Sequence, residues 1–164
     1  RSGEFLAGLP EGRPLFARSP EANMTLGNFM RAQLFSAFSP VKIGMDVMTK
    51  QEHVQVDSLV GHGGIFTTQK ILAAAFNTPI KVMSTAAEGG AWGMAVLANY
   101  LWNTNEDHSN LADFLDGCVF KDAQSTTEKS VASDVVGFED FFARFTKGLP
   151  IEHAAIETIN LEDK

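Results

Sequence analysis

The chain has 164 residues, of which 45% are hydrophobic and 20% charged, the size and composition of one folded domain. No apolar stretch approaches the roughly 20 residues that a membrane span needs. Residues 1–14 lack the basic start and apolar core of a signal peptide. We therefore expect a cytoplasmic protein without a membrane partner. A single cysteine, Cys118, excludes an intrachain disulfide framework and a zinc site built on several cysteines. Because free cysteine usually behaves as a small apolar residue, we expect Cys118 to be buried.

Acidic residues are concentrated in the last third of the chain. Thirteen Lys and Arg against twenty Asp and Glu give a net charge of −7. Residues 1–104 carry eight basic and seven acidic residues, whereas residues 105–164 carry five and thirteen. A nucleic-acid surface needs clustered Lys and Arg, and the sequence has no such cluster. We therefore predict no nucleic-acid partner and interpret the acidic part as a solvated face.

A long helix is predicted after an irregular lead-in over residues 1–24, which is rich in proline and glycine. Thr25 is placed to cap this helix, and Pro40 either kinks it or divides it into two. Its apolar residues recur at three- and four-residue spacing, which is more typical of a core face than of a ligand groove. They are Leu26, Phe29, Met30, Leu34, Phe35 and Phe38.

The middle of the chain alternates between strands and helices. A β-branched run from Val54 to Val60 predicts a strand that ends in a glycine-rich turn. An apolar helix follows and is stopped by Asn77 and Pro79. A second strand is predicted over residues 80–83 and a further helix over residues 88–101. Strands and helices in this order predict an α/β fold with parallel pairing and a right-handed crossover.

The tail has a weaker pattern. Residues 111–115 predict a short helical turn, and the polar residues 122–134 predict a loop. Four phenylalanines at helical spacing, from Phe138 to Phe145, predict a helix with one aromatic stripe. Pro150 is typical of a helix start, so a separate last helix is predicted after it.

The glycine-rich turn Gly61-His62-Gly63-Gly64 is the strongest candidate for a binding site. Glycines after a strand let the backbone approach a ligand closely, and amides at the start of the next helix suit a phosphate or a ribose. The turn lacks the third glycine of a dinucleotide-binding motif and the lysine of a P-loop. A tight turn without a ligand therefore stays an alternative. A dehydrogenase half is disfavoured, since a ribose-binding acid after the second strand is also missing.

Two other features have both a functional and a structural interpretation. The imidazole of His62 beside a phosphate could donate a hydrogen bond or carry a proton, or it could simply complete the turn. Small residues at the start of the helix over residues 88–101 allow close packing against a neighbouring backbone or a flat ligand. They are Gly89, Gly90, Gly93 and Ala95. The other histidines do not have the spacing of metal ligands, and no motif of an activated nucleophile is present, so we predict neither a metal site nor a catalytic residue.

Taken together, these motifs resemble a known family. The turn Val60 to Gly64, the following helix with its alanine run, the strand over residues 80–83, and Glu88 followed by Gly93-Met94-Ala95-Val96-Leu97-Ala98 resemble the C-terminal half of the FGGY carbohydrate kinases. The helix over residues 28–48 resembles the long helix that precedes the adenosine motif of that family. The resemblance covers residues 10–102 and extends more loosely to Phe145. Within the family, xylulokinase-like and ribulokinase-like members are most similar.

The resemblance implies a fold and a reaction. The fold is a partial actin-like, ribonuclease-H-like ATPase domain with short parallel strands flanked by helices, and the reaction is transfer of the ATP γ-phosphate to a pentulose-like sugar hydroxyl with Mg²⁺. Residues 25–104 would be the core of the C-terminal kinase domain and residues 105–164 its acidic helical tail. The residues that would lie against ATP are Gly61, His62, Gly63, Gly64 and Thr67.

The resemblance also implies that much of the enzyme lies outside this chain. In the family the catalytic Asp, the sugar pocket and the first phosphate loop belong to the N-terminal domain. We expect the piece to be inactive alone and to be ordered with that domain or by forming a homo-oligomer. Apolar residues replace polar ones that are common in the family at Ile65, Phe66, Ile71 and Ala75. These replacements favour an alternative, a non-catalytic assembly module that retains the kinase fold.

Overall fold

The computed structural model describes residues 5–9, 12, 15–61, 68–84, 89–107, 110–121 and 124–159. The chain divides into two compact units. The first comprises residues 1–56, 74–77 and 130–164, and the second comprises residues 57–73 and 78–129. The division falls inside one helix, which contributes residues to both units.

The described residues form a mixed α/β structure. The helices are α1 (Leu26–Asp46), α2 (Gln69–Phe76), α3 (Gly89–Asp107), α4 (Leu111–Phe114) and α5 (Ala132–Thr158). The strands are β1 (Leu59–Gly61), β2 (Ile80–Met83) and β3 (Ser125–Glu128). A 3₁₀ turn spans Phe5–Ala7, and π-helical turns at Val47–Gln51 and Leu115–Val119 continue α1 and α4.

Helix α1 begins where its cap predicts. The Thr25 hydroxyl accepts a hydrogen bond from the Asn28 N–H at 3.1 Å, which satisfies one of the free donors of the first turn. The helix continues through Pro40, so the alternative of two separate helices is wrong. Its predicted apolar face is buried only in the second half of the helix, at Phe35 and Phe38, whereas in the first half Leu26 and Met30 are exposed.

Aromatic rings join α1 to α5 in the first unit. The Phe35 ring packs edge-on against Phe138, with ring centroids 5.1 Å apart, and against Phe141 at 5.4 Å. Phe138 is fully buried, so the predicted aromatic stripe is confirmed. Helix α5 continues past Pro150 to Thr158, and the predicted separate last helix is wrong. An edge-to-face pair of rings stabilises the fold by about 1 kcal/mol beyond the contribution of the apolar area that it buries.

A buried lysine adds a polar contact to the same pair of helices. Lys42 lies on α1 with its ammonium 2.6 Å from Asp46 and 3.7 Å from Glu139 on α5, and 5.9 Å from the centre of the Phe142 ring. Lys50 binds the other oxygen of Asp46 at 2.8 Å. Burial raises the pKa of Asp46, but the hydrogen bonds and charges of Lys42 and Lys50 together outweigh it, and the pKa lies below its ordinary value.

The second unit contains a three-stranded sheet in the order β1-β2-β3. Strands β1 and β2 pair in parallel, as predicted, with Gly61 opposite Val82. Strand β3 pairs antiparallel to β2, so the prediction of a loop over residues 122–134 is wrong: the part described contains β3 and the start of α5. Strand β1 begins only at Leu59, so Val54 and Val56, which were predicted to belong to it, lie outside the observed strand.

The predicted end of α2 is confirmed, whereas the predicted burial of Cys118 is wrong. Helix α2 ends at Phe76, and Asn77 has the left-handed φ of 46° that often follows a helix and that asparagine tolerates, so the predicted stop is confirmed. Cys118 is exposed on the π-helical turn, so its predicted burial is wrong. No residue of that turn is buried.

The Asp46 pair predicts a stability that depends on pH. Because its folded pKa lies below the ordinary value of 3.8, the pair stabilises the fold above pH 3.8 and loses this effect as pH falls through the folded value. Asp46→Asn leaves Lys42 buried without its closest partner, so we expect it to lower the free energy of unfolding by about 2 kcal/mol at pH 7. Urea unfolding at pH 7 and at pH 2.5 measures the free energy of unfolding of the variant and of the unsubstituted chain.

A matched control separates this pair from general charge. Asp140→Asn removes an exposed carboxylate from α5, and we expect it to change the free energy of unfolding by less than about 0.5 kcal/mol at either pH. The difference between Asp46→Asn and the unsubstituted chain should shrink at the lower pH. A difference of the same size at both pH values would contradict an ionic origin.

Candidate functional site

The ends of the two parallel strands form the candidate site. Gly61 ends β1 and is buried, and its partner Val82 lies one residue before the end of β2. The Leu59 N–H donates to the Pro79 carbonyl at 2.9 Å, which fixes the start of this pairing. Carboxyl ends of adjacent parallel strands meet at one edge of a sheet, the position where open α/β sheets bind ligands.

Helices start soon after both strand ends. Helix α2 begins at Gln69, after the glycine-rich turn, and α3 begins at Gly89, shortly after β2 ends at Met83. The side chain of Gln69 donates a hydrogen bond from Nε2 to the Thr126 hydroxyl on β3 at 3.2 Å, which connects the first turn of α2 to the sheet. The first turn of a helix carries free N–H groups and a partial positive charge, and both favour an anion.

The residues predicted to bind the nucleotide are described only in part. Gly61 lies at the carboxyl end of β1, as expected for the first residue of the turn. His62, Gly63, Gly64 and Thr67 lie outside the described residues, as does Glu88. The structure therefore fixes the strand from which the turn starts, and the roles of the turn residues stay predictions.

The small residues of α3 do not have the predicted packing role in the described part of the chain. A Cβ added at Gly90 or Gly93 would meet no atom within 4 Å, and Ala95 is exposed. The expected close approach to a neighbouring backbone is therefore not present at these positions. Their surface is open to a ligand or to another protein.

Aromatic contacts hold one side of α3, and the sequence analysis missed them. Trp92 packs against Phe120 with ring centroids 5.9 Å apart, and Tyr100 packs against Phe114 at 5.4 Å. The eight-residue spacing of Trp92 and Tyr100 places them on one face of a helix, which is the signal that could have identified them. The outer face carries the exposed residues Met94, Leu97 and Leu101.

The described residues contain no group of three or more His, Cys, Asp and Glu side chains that could hold a metal ion. In the same part of the chain, no helix is both long and apolar enough to cross a membrane. Near the two parallel strands in sequence, the charged residues are Asp57, two residues before β1, and Lys81 on β2.

The comparison with protein families identifies the chain. The family model for the C-terminal domain of the FGGY family of carbohydrate kinases matches residues 1–102. This match covers more than half of the chain and includes both parallel strands and the crossover helix between them. The chain belongs to the FGGY family of carbohydrate kinases. The search of curated proteins gives no match, and the search of solved structures gives none either.

The match confirms part of the resemblance seen in the sequence. Membership in the FGGY family and the C-terminal identity of the domain are established, and so is the mixed α/β fold. The matched residues end at Trp102, inside α3. Strand β3 and the helices α4 and α5 therefore lie beyond the part of this FGGY chain that the family match covers.

The open space at Gly93 predicts that an alanine there stabilises α3. Glycine in a helix interior is less stable than alanine by about 0.5–1 kcal/mol, and Gly93→Ala meets no neighbour in the described part of the chain. We therefore expect this variant to raise the free energy of unfolding by that amount. Ala98→Gly, at an exposed position of the same helix, should lower it equally. Urea unfolding of both variants checks this, and a destabilised Gly93→Ala would contradict the open surface.

Proposed function

We propose that the chain is the ATP-binding part of a sugar kinase that transfers the γ-phosphate of ATP to the hydroxyl of a pentulose-like, xylulose-type sugar. The observation that carries the proposal is the parallel pair β1 and β2, with Gly61 at a strand end and a helix start after each strand. Membership in the FGGY family supports a reaction of this class. The proposed fold is actin-like, and the proposed compartment is the cytoplasm.

The proposed contacts to ATP are made mainly by backbone. The residues Gly61, His62, Gly63 and Gly64 form the turn against the nucleotide, and Thr67 contacts the adenosine with its side chain. Glycines allow the close approach that backbone amides need in order to donate to phosphate or ribose oxygens. The apolar residues Ile65 and Phe66 supply no polar side chain, which is consistent with recognition by backbone.

The proposed reaction needs groups from the rest of the kinase. In-line phosphoryl transfer requires a base for the sugar hydroxyl, donors around the phosphates and exclusion of water by cleft closure. Mg²⁺ neutralises phosphate charge when bound. The base, the sugar pocket and the first phosphate loop belong, in this proposal, to the N-terminal domain, and the chain alone is inactive. Residues 25–104 form the core of the nucleotide-binding domain and residues 105–164 its acidic tail.

A second candidate function is a non-catalytic assembly module. Helix α3 has no charged residue from Gly89 to Asn105, and its exposed residues include Met94, Leu101 and Trp102. Leaving such side chains in water rather than burying them costs about 1.5–3 kcal/mol each. This exposure supports docking of α3 on the rest of a kinase or on a second copy of the chain.

The experiment that tests the nucleotide site is titration of MgATP into the chain and into Gly63→Asp. A carboxylate in the turn repels the phosphates and occupies the space that the backbone approach needs, so we expect affinity to fall by about tenfold or more, which equals 1.4 kcal/mol or more. Isothermal titration calorimetry measures the affinity. Light scattering of both proteins measures their mass.

Gly27→Asp is the matched control for this experiment. It adds the same charge at a glycine of α1 whose Cβ would meet no atom within 4 Å, near a helix N-terminus that favours an acid. We expect it to bind MgATP like the unsubstituted chain. Equal affinity in Gly63→Asp would contradict the ATP assignment, and a shared self-association of all three proteins would then favour the assembly module.

A further inference from the structure

A groove in the first compact unit is separate from the strand edge. It has a volume of about 830 Å³ and lies between residues 15–24, α1 and α5. Known small-molecule sites occupy about 300–1,000 Å³ and have mainly apolar walls with a few polar groups. Helix α5 lies beyond residue 102, so the family match does not account for this groove.

Aromatic rings form two of the groove walls. Phe16 packs edge-on against Phe29 with ring centroids 5.6 Å apart, and Phe141 stacks with Phe145 at 6.4 Å. All four residues line the groove. Phe16 is 52% exposed and the nearby Ile151 is 53% exposed, so an apolar ligand would remove a large apolar area from water.

Two arginines are among the residues that line this apolar groove. Arg18 and Arg144 line it, and neither takes part in a salt bridge within the described residues. Glu152 also lines the groove and already has an interaction of its own. Two arginines against one carboxylate leave an excess of positive charge in a chain whose net charge is −7. A guanidinium donates paired hydrogen bonds to a carboxylate, sulfonate or phosphate.

We propose that this groove binds a small apolar anion, with an aromatic or branched body against Phe16, Phe29, Phe141 and Phe145 and one anionic group on Arg18 and Arg144. The two aromatic walls select a flat or bulky body rather than a polar sugar. The arginines select a negative head group. This site lies wholly within the first unit, so it does not depend on the proposed ATP contacts.

Binding of anilinonaphthalene sulfonate, measured by fluorescence titration, tests the proposal because this probe has an aromatic body and one anionic group. Gly148 lines the groove on α5, and a Cβ there would meet no atom within 4 Å. Gly148→Leu therefore adds a side chain at the groove from a position with room for its Cβ, and we expect the affinity to fall about tenfold or more as the volume is filled. Gly137→Leu is its control, since Gly137 is an equally open glycine of α5 outside the groove, and we expect no change.

A second pair of variants tests the charge. Arg144→Gln removes one arginine, and we expect the affinity to fall about fivefold, the upper range for an exposed ion pair. Lys147→Gln removes the same charge from an exposed position of α5 outside the groove and should change the affinity by less than about twofold. Circular dichroism establishes that each variant is folded.

The proposal is overturned if the folded chain shows no saturable binding, or if Gly148→Leu binds the probe as Gly137→Leu does. Equal losses in Arg144→Gln and Lys147→Gln would also overturn it, because the anion would then respond only to net charge. If Gly148→Leu does not fold, the comparison of Arg144→Gln with Lys147→Gln tests the proposal by itself.

Discussion

The parallel pairing of β1 with β2 is the constraint on which the second unit depends. Parallel neighbours cannot be joined by a tight hairpin, so the chain must cross back between them, and helix α2 lies in this connection. The crossover buries Leu72 and Ala73 on α2 and Ile80 on β2. It also brings both carboxyl ends to the same edge, which is why the glycine-rich turn and the start of α3 follow adjacent strands.

Much of this second unit could be predicted from the sequence because its local signals agree with the tertiary structure. Apolar, β-branched residues over 80–83 form β2, and Asn77 stops α2 because its side chain tolerates a positive φ. Strand β3 could not be predicted in the same way. Its sequence Ser-Thr-Thr-Glu has no apolar alternation and no buried residue, so it is a strand because its backbone pairs with β2. Nothing in the local pattern encodes that pairing.

The first unit shows a different limit of sequence reasoning. The aromatic spacing of α5 predicts a helix, but only the structure shows that Phe35 packs against two of its rings. Pro150 removes a hydrogen bond to the Thr146 carbonyl and would ordinarily end a helix. Both residues are exposed, so water can satisfy that carbonyl and α5 continues. The candidate groove could not be predicted from the sequence either, since Arg18 and Arg144, which both line it, are 126 residues apart.

The two proposed functions of the second unit use different surfaces. A kinase needs the strand edge after Gly61, where amides and helix starts suit phosphates. An assembly module needs the outer face of α3, where Met94, Leu97 and Leu101 are exposed and no charge opposes burial. Because Trp92 and Tyr100 already hold the other face of α3, the outer face can be covered without disturbing these aromatic contacts. Docking and nucleotide binding are therefore compatible in one domain, and covering α3 would stabilise the helix whose first turn follows β2.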